Sequence, residues 1–209
     1  SPYAYYAIGS AMAFKAEAYV KVAGIPPRNG GEDFYFMQSL RKNGKIGFLN
    51  ATCVHPSARL SDRVPFGTGP KLKQYISENT GQYFYNQKIF TLLLKPLFSF
   101  INSDDFYALS SDPEKMLEKM PELVRDFMKS EKFEESWLSI LKNTPPNKEK
   151  VKLAFHTWFD ALKTLRFIHF CEIRNFQKTD WKVAFYGLLI EKEYFLLQTD
   201  FKDQTCLLE

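Results

Sequence analysis

Gly30-Gly31-Glu32-Asp33-Phe34 decides how this chain is read. Two glycines permit a tight turn, and two adjacent carboxylates follow at the head of a segment with helical period. Phe36, Met37 and Leu40 give that segment an apolar stripe, Arg41 and Lys42 close it, and Gly44 stops it. A helix over Glu32–Asn43 is therefore predicted, with acids at its positive end and bases at its negative end. Beyond it, His55-Pro56-Ser57-Ala58-Arg59-Leu60-Ser61-Asp62-Arg63 brings an imidazole and two guanidinium groups into one loop. Carboxylate, imidazole and guanidinium together form a set able to handle a phosphorylated substrate.

Working outward, Tyr3-Ala4-Tyr5-Tyr6-Ala7-Ile8 reads as a strand buried on both faces. The chain opens inside this element, and a strand without partners is unstable, so a piece of a longer polypeptide is expected. Gly9-Ser10-Ala11-Met12-Ala13-Phe14 is a small-residue turn or a second short strand. Residues 15–22 form a helix closed by Gly24, and residues 25–31 a loop. Residues 45–54 read as one or two short strands. Pro65-Phe66-Gly67-Thr68-Gly69-Pro70 marks a boundary.

Past that boundary the pattern turns to long helical periods, with helices near 71–80, 82–99, 112–130, 133–141, 148–176 and 180–199. Ser111-Asp112-Pro113-Glu114 has the cap, proline and acid of a helix start, and Asn143-Thr144-Pro145-Pro146-Asn147 is a break. The fold class expected is α+β and helix-dominated: an α/β segment over 1–70, then an all-α region over 71–209.

With 209 residues, 45% hydrophobic and 25% charged, the chain can bury a real core. Aromatics at 16%, with 20 Phe and 11 Tyr, argue against disorder. Residues 1–70 carry eight Lys and Arg against four acids, whereas the remainder balances twenty of each. A basic first third suits an anionic ligand, or is simply a solvated surface. It lacks the aromatic-interleaved basic stripe of a nucleic-acid binder. Cys53, Cys171 and Cys206 have no CxxC spacing, so reduced thiols in a cytoplasmic protein are expected, without structural zinc. The longest apolar run is broken by Lys95 and Pro96 and is shorter than the roughly 20 residues of a membrane span.

Asp33 is the candidate general base, since a carboxylate at a helix start is held rigidly; on the dipeptide alone, Glu32 and Asp33 equally serve the helix terminus. Read from the residues alone, His55 is a capping or core histidine beside a proline turn, although a neutral imidazole is also able to ligate a metal. Arg59 and Arg63 can clamp a diphosphate, or pair with Asp62 as a structural clasp. Gly67-Thr68-Gly69 is read as a plain turn. His156 and His169 are read as core residues on helices, with nothing nearby to complete a ligand set. The stripe Phe90, Leu93, Leu94, Leu97, Phe98 and Ile101 is read as a core helix bent by Pro96, although an interfacial helix fits the same pattern. Trp181, Phe185, Leu188, Leu189 and Phe195 are read the same way.

The order of Gly9-Ser10, small strand, helix, Gly24-Ile25-Pro26, Gly30-Gly31-Glu32-Asp33-Phe34, amphipathic helix, Asn43-Gly44, strand and His55-Pro56 resembles the family 2 glycosyltransferases, nucleotide-sugar enzymes of the GT-A fold. The likeness covers about residues 3–70, the second half of their catalytic domain. It implies that the Glu32-Asp33 pair is catalytic, with Asp33 the base of an inverting transfer. It also implies that Gly9 and Ser10 form a substrate-binding turn before the acceptor-side helix, and that His55 contacts a divalent metal, manganese or magnesium, or the donor diphosphate. The implied partners are a nucleotide-sugar donor and a glycan or lipid-linked acceptor.

Two departures shape the expectation. The family's nucleotide-binding half with its Asp-x-Asp motif would precede residue 3, so this segment would not catalyse by itself, and the metal would come with that half. No Gln-x-x-Arg-Trp stretch of processive synthases is present, which favours a soluble enzyme adding one sugar, with peripheral contact at the inner face of a membrane left open. The competing expectation is non-catalytic: residues 71–209 form a helical docking or oligomerisation module carrying a relic transferase segment.

Overall fold

The computed structural model describes residues 1–55, 60, 68–78 and 82–196. Its helices are α1 (Ala16–Lys21), α2 (Glu32–Asn43), α3 (Thr68–Glu78), α4 (Lys95–Ile101), α5 (Asp104–Ala108), α6 (Pro113–Glu118), α7 (Glu122–Ser130), α8 (Phe133–Lys142), α9 (Lys148–Trp158), α10 (Ala161–Glu172) and α11 (Trp181–Leu196). Strand β1 (Tyr83–Phe84) pairs antiparallel with β2 (Thr179–Asp180), Tyr83 opposite Asp180. The class is thus α+β in coarse terms, and mostly helical.

The core is aromatic. Phe106, Phe133, Trp137, Phe155, Phe159 and Phe167 are fully buried between α5, α8, α9 and α10. Their rings meet mostly edge to face, as at Phe106–Phe155 (5.5 Å), which suits the ring quadrupoles. Trp137 keeps its polar handle satisfied by donating from Nε1 to the Ser110 carbonyl at 2.8 Å. Glu131, between α7 and α8, accepts from Lys163 at 2.8 Å and Arg166 at 2.6 Å on α10, closing the bundle.

Long helical periods are cut where backbone chemistry demands it. The helix expected over 112–130 ends before Pro121, because the residue preceding a proline is pushed out of the helical region. The one expected over 148–176 breaks at Phe159-Asp160, and the Asp160 side chain caps α10 by accepting from Lys163 N at 3.1 Å. Residues 82–99 are not one helix either. β1 comes first, then a π-helical turn, Ile89–Leu94, running into α4 with Lys95 N bonded to Phe90 O. Pro96 lacks an N–H for the ordinary ladder, and the wider turn lies directly ahead of it. A short helix, α5, capped by Ser103, was not expected.

The described part of residues 1–70 departs most from expectation, because it contains no strand. Residues 3–8 keep a period-two burial, with Tyr3, Tyr5 and Ala7 half-buried and Ala4, Tyr6 and Ile8 exposed. They are therefore not buried on both faces. A ladder needs N–H and C=O groups from a neighbour, and no described segment pairs with them. Residues 45–54 are likewise irregular, with Phe48 and Leu49 exposed. Helices α1 and α2 do form. Phe36, fully buried, meets Phe14 at 5.0 Å and Tyr19 at 5.8 Å, fastening α1 to α2.

Among the described residues no helix is long and apolar enough to cross a membrane. Cys53 is an exposed free thiol and Cys171 a buried one.

Candidate functional site

Gly31 has φ +70°, a left-handed conformation that favours glycine, and it turns the chain into the first turn of α2. Its carbonyl accepts from Tyr35 N at 3.2 Å, and the Arg28 guanidinium lies 3.8 Å over the Tyr35 ring, holding the loop against the helix.

At this start sits Asp33, half-buried. Its Oδ1 accepts from Phe34 N at 2.7 Å, and its Oδ2 accepts from Gly9 N at 3.0 Å. Gly9 opens a 3-10 turn, Gly9–Ala11. A Cβ on Gly9 would stand 3.4 Å from Asp33 Oδ2, at ordinary contact distance, so the two stretches pack closely here. Two stretches that the resemblance singled out thus meet, twenty-four positions apart in the chain. Ser10 is exposed in the same turn, and Glu32 is exposed beside Asp33 in the helix's first turn.

A carboxylate offers about four acceptor positions, and backbone N–H groups use one on each oxygen of Asp33. Each oxygen keeps acceptor capacity for a hydroxyl proton, while the two N–H bonds fix the direction in which the carboxylate faces. That is the geometric requirement for a positioned base.

The far part of α2 is tied to the helical bundle. Gln38, almost fully buried, accepts at Oε1 from Leu162 N at 2.8 Å, in the first turn of α10. Lys42 Nζ meets Asp160 Oδ2 at 2.5 Å, on the residue that caps α10. Arg41 donates from Nε to Pro2 O at 2.7 Å and from Nη1 to Gly44 O at 3.0 Å. Tyr3 Oη donates to His156 O at 2.9 Å. The bundle therefore sets the position of α2, and α2 sets Asp33. Sequence reasoning missed Gln38, which carries no local signal. Asp160 had one, an aspartate three residues before a backbone N–H it could cap.

A groove of about 520 Å³ opens beside this junction, lined by Arg41, Lys42, Phe98, Lys150, Lys152 and His156, among others. His156 packs on Phe98 (5.9 Å), and its Nδ1 is buried with no hydrogen-bond partner among the described residues. Burial, and then nearby positive charge, pushes its pKa down to about 4, so the ring is neutral at pH 7. His169 is not a core residue. It is half exposed and meets Tyr85 Oη at 3.1 Å from Nε2.

His55 is exposed at the end of the irregular segment 45–55. Arg59 and Arg63, with Asp62 and Gly67, lie outside the described residues. A divalent metal needs several converging oxygen or nitrogen ligands. Among the described residues no three His, Cys, Asp or Glu side chains converge in that way. These residues do not fit a metal site by themselves.

Comparison of the chain with family models, with curated proteins and with solved structures gives no match.

Proposed function

We propose that residues 1–70 are the acceptor side of an inverting, non-processive glycosyltransferase of the family 2 type, moving a sugar from a nucleotide-sugar to a hydroxyl of a glycan or lipid-linked acceptor. The observation that carries the reading is the Asp33 carboxylate, mounted at the head of α2 and oriented by the Gly9 N–H at 3.0 Å.

In this reading the acceptor hydroxyl lies against the free lone pairs of Asp33. As its oxygen attacks the anomeric carbon, the proton passes to the carboxylate and the bond to the nucleoside diphosphate breaks on the opposite face. A positioned base of this kind contributes about 10²–10⁴-fold in rate. Glu32 adds negative charge at the helix start without the anchor, so its role is to favour the helix terminus. Arg59 and Arg63 are the proposed partners of the departing diphosphate, and His55 remains its candidate contact.

The test uses the native polypeptide with a panel of nucleotide-sugars, manganese and hydroxyl acceptors, reading acceptor-dependent release of nucleoside diphosphate. Asp33→Asn should abolish release while donor affinity stays within a few-fold. Turnover retained in Asp33→Asn would remove Asp33 from the role of base.

A further inference from the structure

The groove beside the α2–α10 junction carries more positive charge than the protein neutralises. Arg41 and Lys42 line it from the end of α2, and Lys150 and Lys152 from α9. Lys42 is paired with Asp160 at 2.5 Å, and Lys152 with Glu149 at 3.1 Å. Arg41 and Lys150 have no carboxylate partner among the described residues. Arg41 is half-buried, and its hydrogen bonds go to uncharged acceptors, the carbonyls of Pro2 and Gly44. A guanidinium has five N–H donors, so those on Nη2 remain without a protein acceptor among the described residues. A partly desolvated guanidinium, sharing a groove with a second uncompensated cation, calls for an anion.

The rest of the lining has a different character. Phe98 of α4 and His156 of α9 stack at 5.9 Å with their planes 29° apart, and exposed Leu153 extends this apolar wall. The His156 ring is uncharged at pH 7, because burial, then the amino end of the chain, Lys152 and Arg41 push its pKa down to about 4. At about 520 Å³ the groove has the size of a small-molecule site, so an anion held there carries an organic part. Arg41 and Lys42 follow Asp33 by roughly 12–14 Å along α2, at 1.5 Å per residue, so the groove is separate from the carboxylate at the head of that helix.

We propose that this groove binds a small organic phosphate, with Arg41 and Lys150 taking the phosphate and the wall of Phe98, His156 and Leu153 taking an apolar ring attached to it. Guanidinium matches phosphate oxygens two at a time, and the lysine adds a point charge. Phosphate alone leaves the apolar wall uncovered, and a neutral ring alone leaves the two cations uncompensated. The proposal does not rest on the transferase reading, because it uses neither Asp33 nor the loop with Arg59 and Arg63.

The test titrates the native polypeptide with phenyl phosphate, inorganic phosphate and phenol, followed by calorimetry and by NMR of the histidine ring protons. Phenyl phosphate should bind about tenfold more tightly than either of the other two, and less tightly as salt rises. The His156 signal, identified by its loss in His156→Gln, should shift on binding, while those of His55 and His169 stay. Arg41→Gln should weaken binding by about tenfold, the scale of one charged hydrogen bond, and Lys150→Gln by about threefold. Lys150 is exposed, so its variant should keep the parent's circular dichroism and melting; it decides the matter if Arg41→Gln, which also loses the bonds to Pro2 and Gly44, does not fold. No binding of phenyl phosphate at about 10 mM, equal affinity for phenol, or unchanged affinity in Lys150→Gln would overturn the proposal. A shift at His55 in place of His156 would move the phosphate to the proposed diphosphate contact, which overturns this assignment and leaves the transferase reading standing.

Discussion

The tie between α2 and α10 makes a quantitative prediction about how the candidate site is held. Gln38→Ala removes the acceptor for Leu162 N, now bonded at 2.8 Å, and a half-buried N–H left without a partner costs about 1–2 kcal/mol. Asp160→Ala removes the α10 cap, worth about 1 kcal/mol. It also removes the Lys42 ion pair, whose side chains are 31% and 13% exposed, so it should exceed an open-surface pair yet stay near about 1 kcal/mol. Together the two substitutions should cost about 3–4 kcal/mol, a large share of a typical domain's stability. The positions share one helix end, so the double variant should depart from additivity, and a Lys42→Met/Asp160→Ala cycle isolates the ion pair. Urea unfolding followed by circular dichroism gives the free energies, and hydrogen exchange of the α2 amides shows whether the loss is local. If Gln38→Ala and Asp160→Ala each stay within about 0.5 kcal/mol of the parent, with α2 exchange unchanged, α2 is not held by α10 and the mounting of Asp33 must be reargued.

Three further outcomes follow from single residues. Gly31→Ala should destabilise by about 1–2 kcal/mol from its positive φ alone, since the nearest atom to a new Cβ is 4.0 Å away; a melting temperature equal to the parent's would refute the strain argument. His156, pushed down to about 4 by burial, binds fewer protons folded than unfolded, so its contribution is full above about pH 6.5 and is lost as pH falls toward 4. After discounting for partial exposure this is about 2 kcal/mol, and denaturation across that window should lose this slope in His156→Gln if the ring is its source. In a Cys206→Ser background one thiol, exposed Cys53, should react at once with a disulfide reagent. Buried Cys171, its thiol pushed up to about 12, should wait for unfolding, and two fast thiols would contradict the burial.

What could be read from the sequence was local. The bounds of α2 follow from an apolar stripe, acids at one end, bases at the other and flanking glycines, all within reach of one another. The breaks at Pro121 and Asp160 were also written locally, in a residue pushed out of the helix before proline and a capping aspartate, but the longer apolar period hid them. Residues 3–8 illustrate a different failure: their period-two burial is present, yet a strand is defined by its neighbour, which periodicity does not supply. Helix α11 misled because an apolar run reads as core, whereas Trp181 and Phe185 stand exposed and only Ala184 is buried there among the described side chains. At the candidate site, Asp33 and Gly9 were each visible in the sequence, but their hydrogen bond was not. Gln38, a polar residue between Met37 and Ser39, gave no sign that it would be buried against α10.

The most direct measurement is the turnover of two neighbouring carboxylate variants in the native polypeptide, Asp33→Asn and Glu32→Gln, assayed side by side with the same donor and acceptor. The anchored carboxylate should matter and the exposed one should not. Asp33→Asn should fall by about 10²–10⁴-fold in kcat, while Glu32→Gln stays within a few-fold. Equal losses in both, or the larger loss in Glu32→Gln, would contradict the assignment of Asp33 as the base.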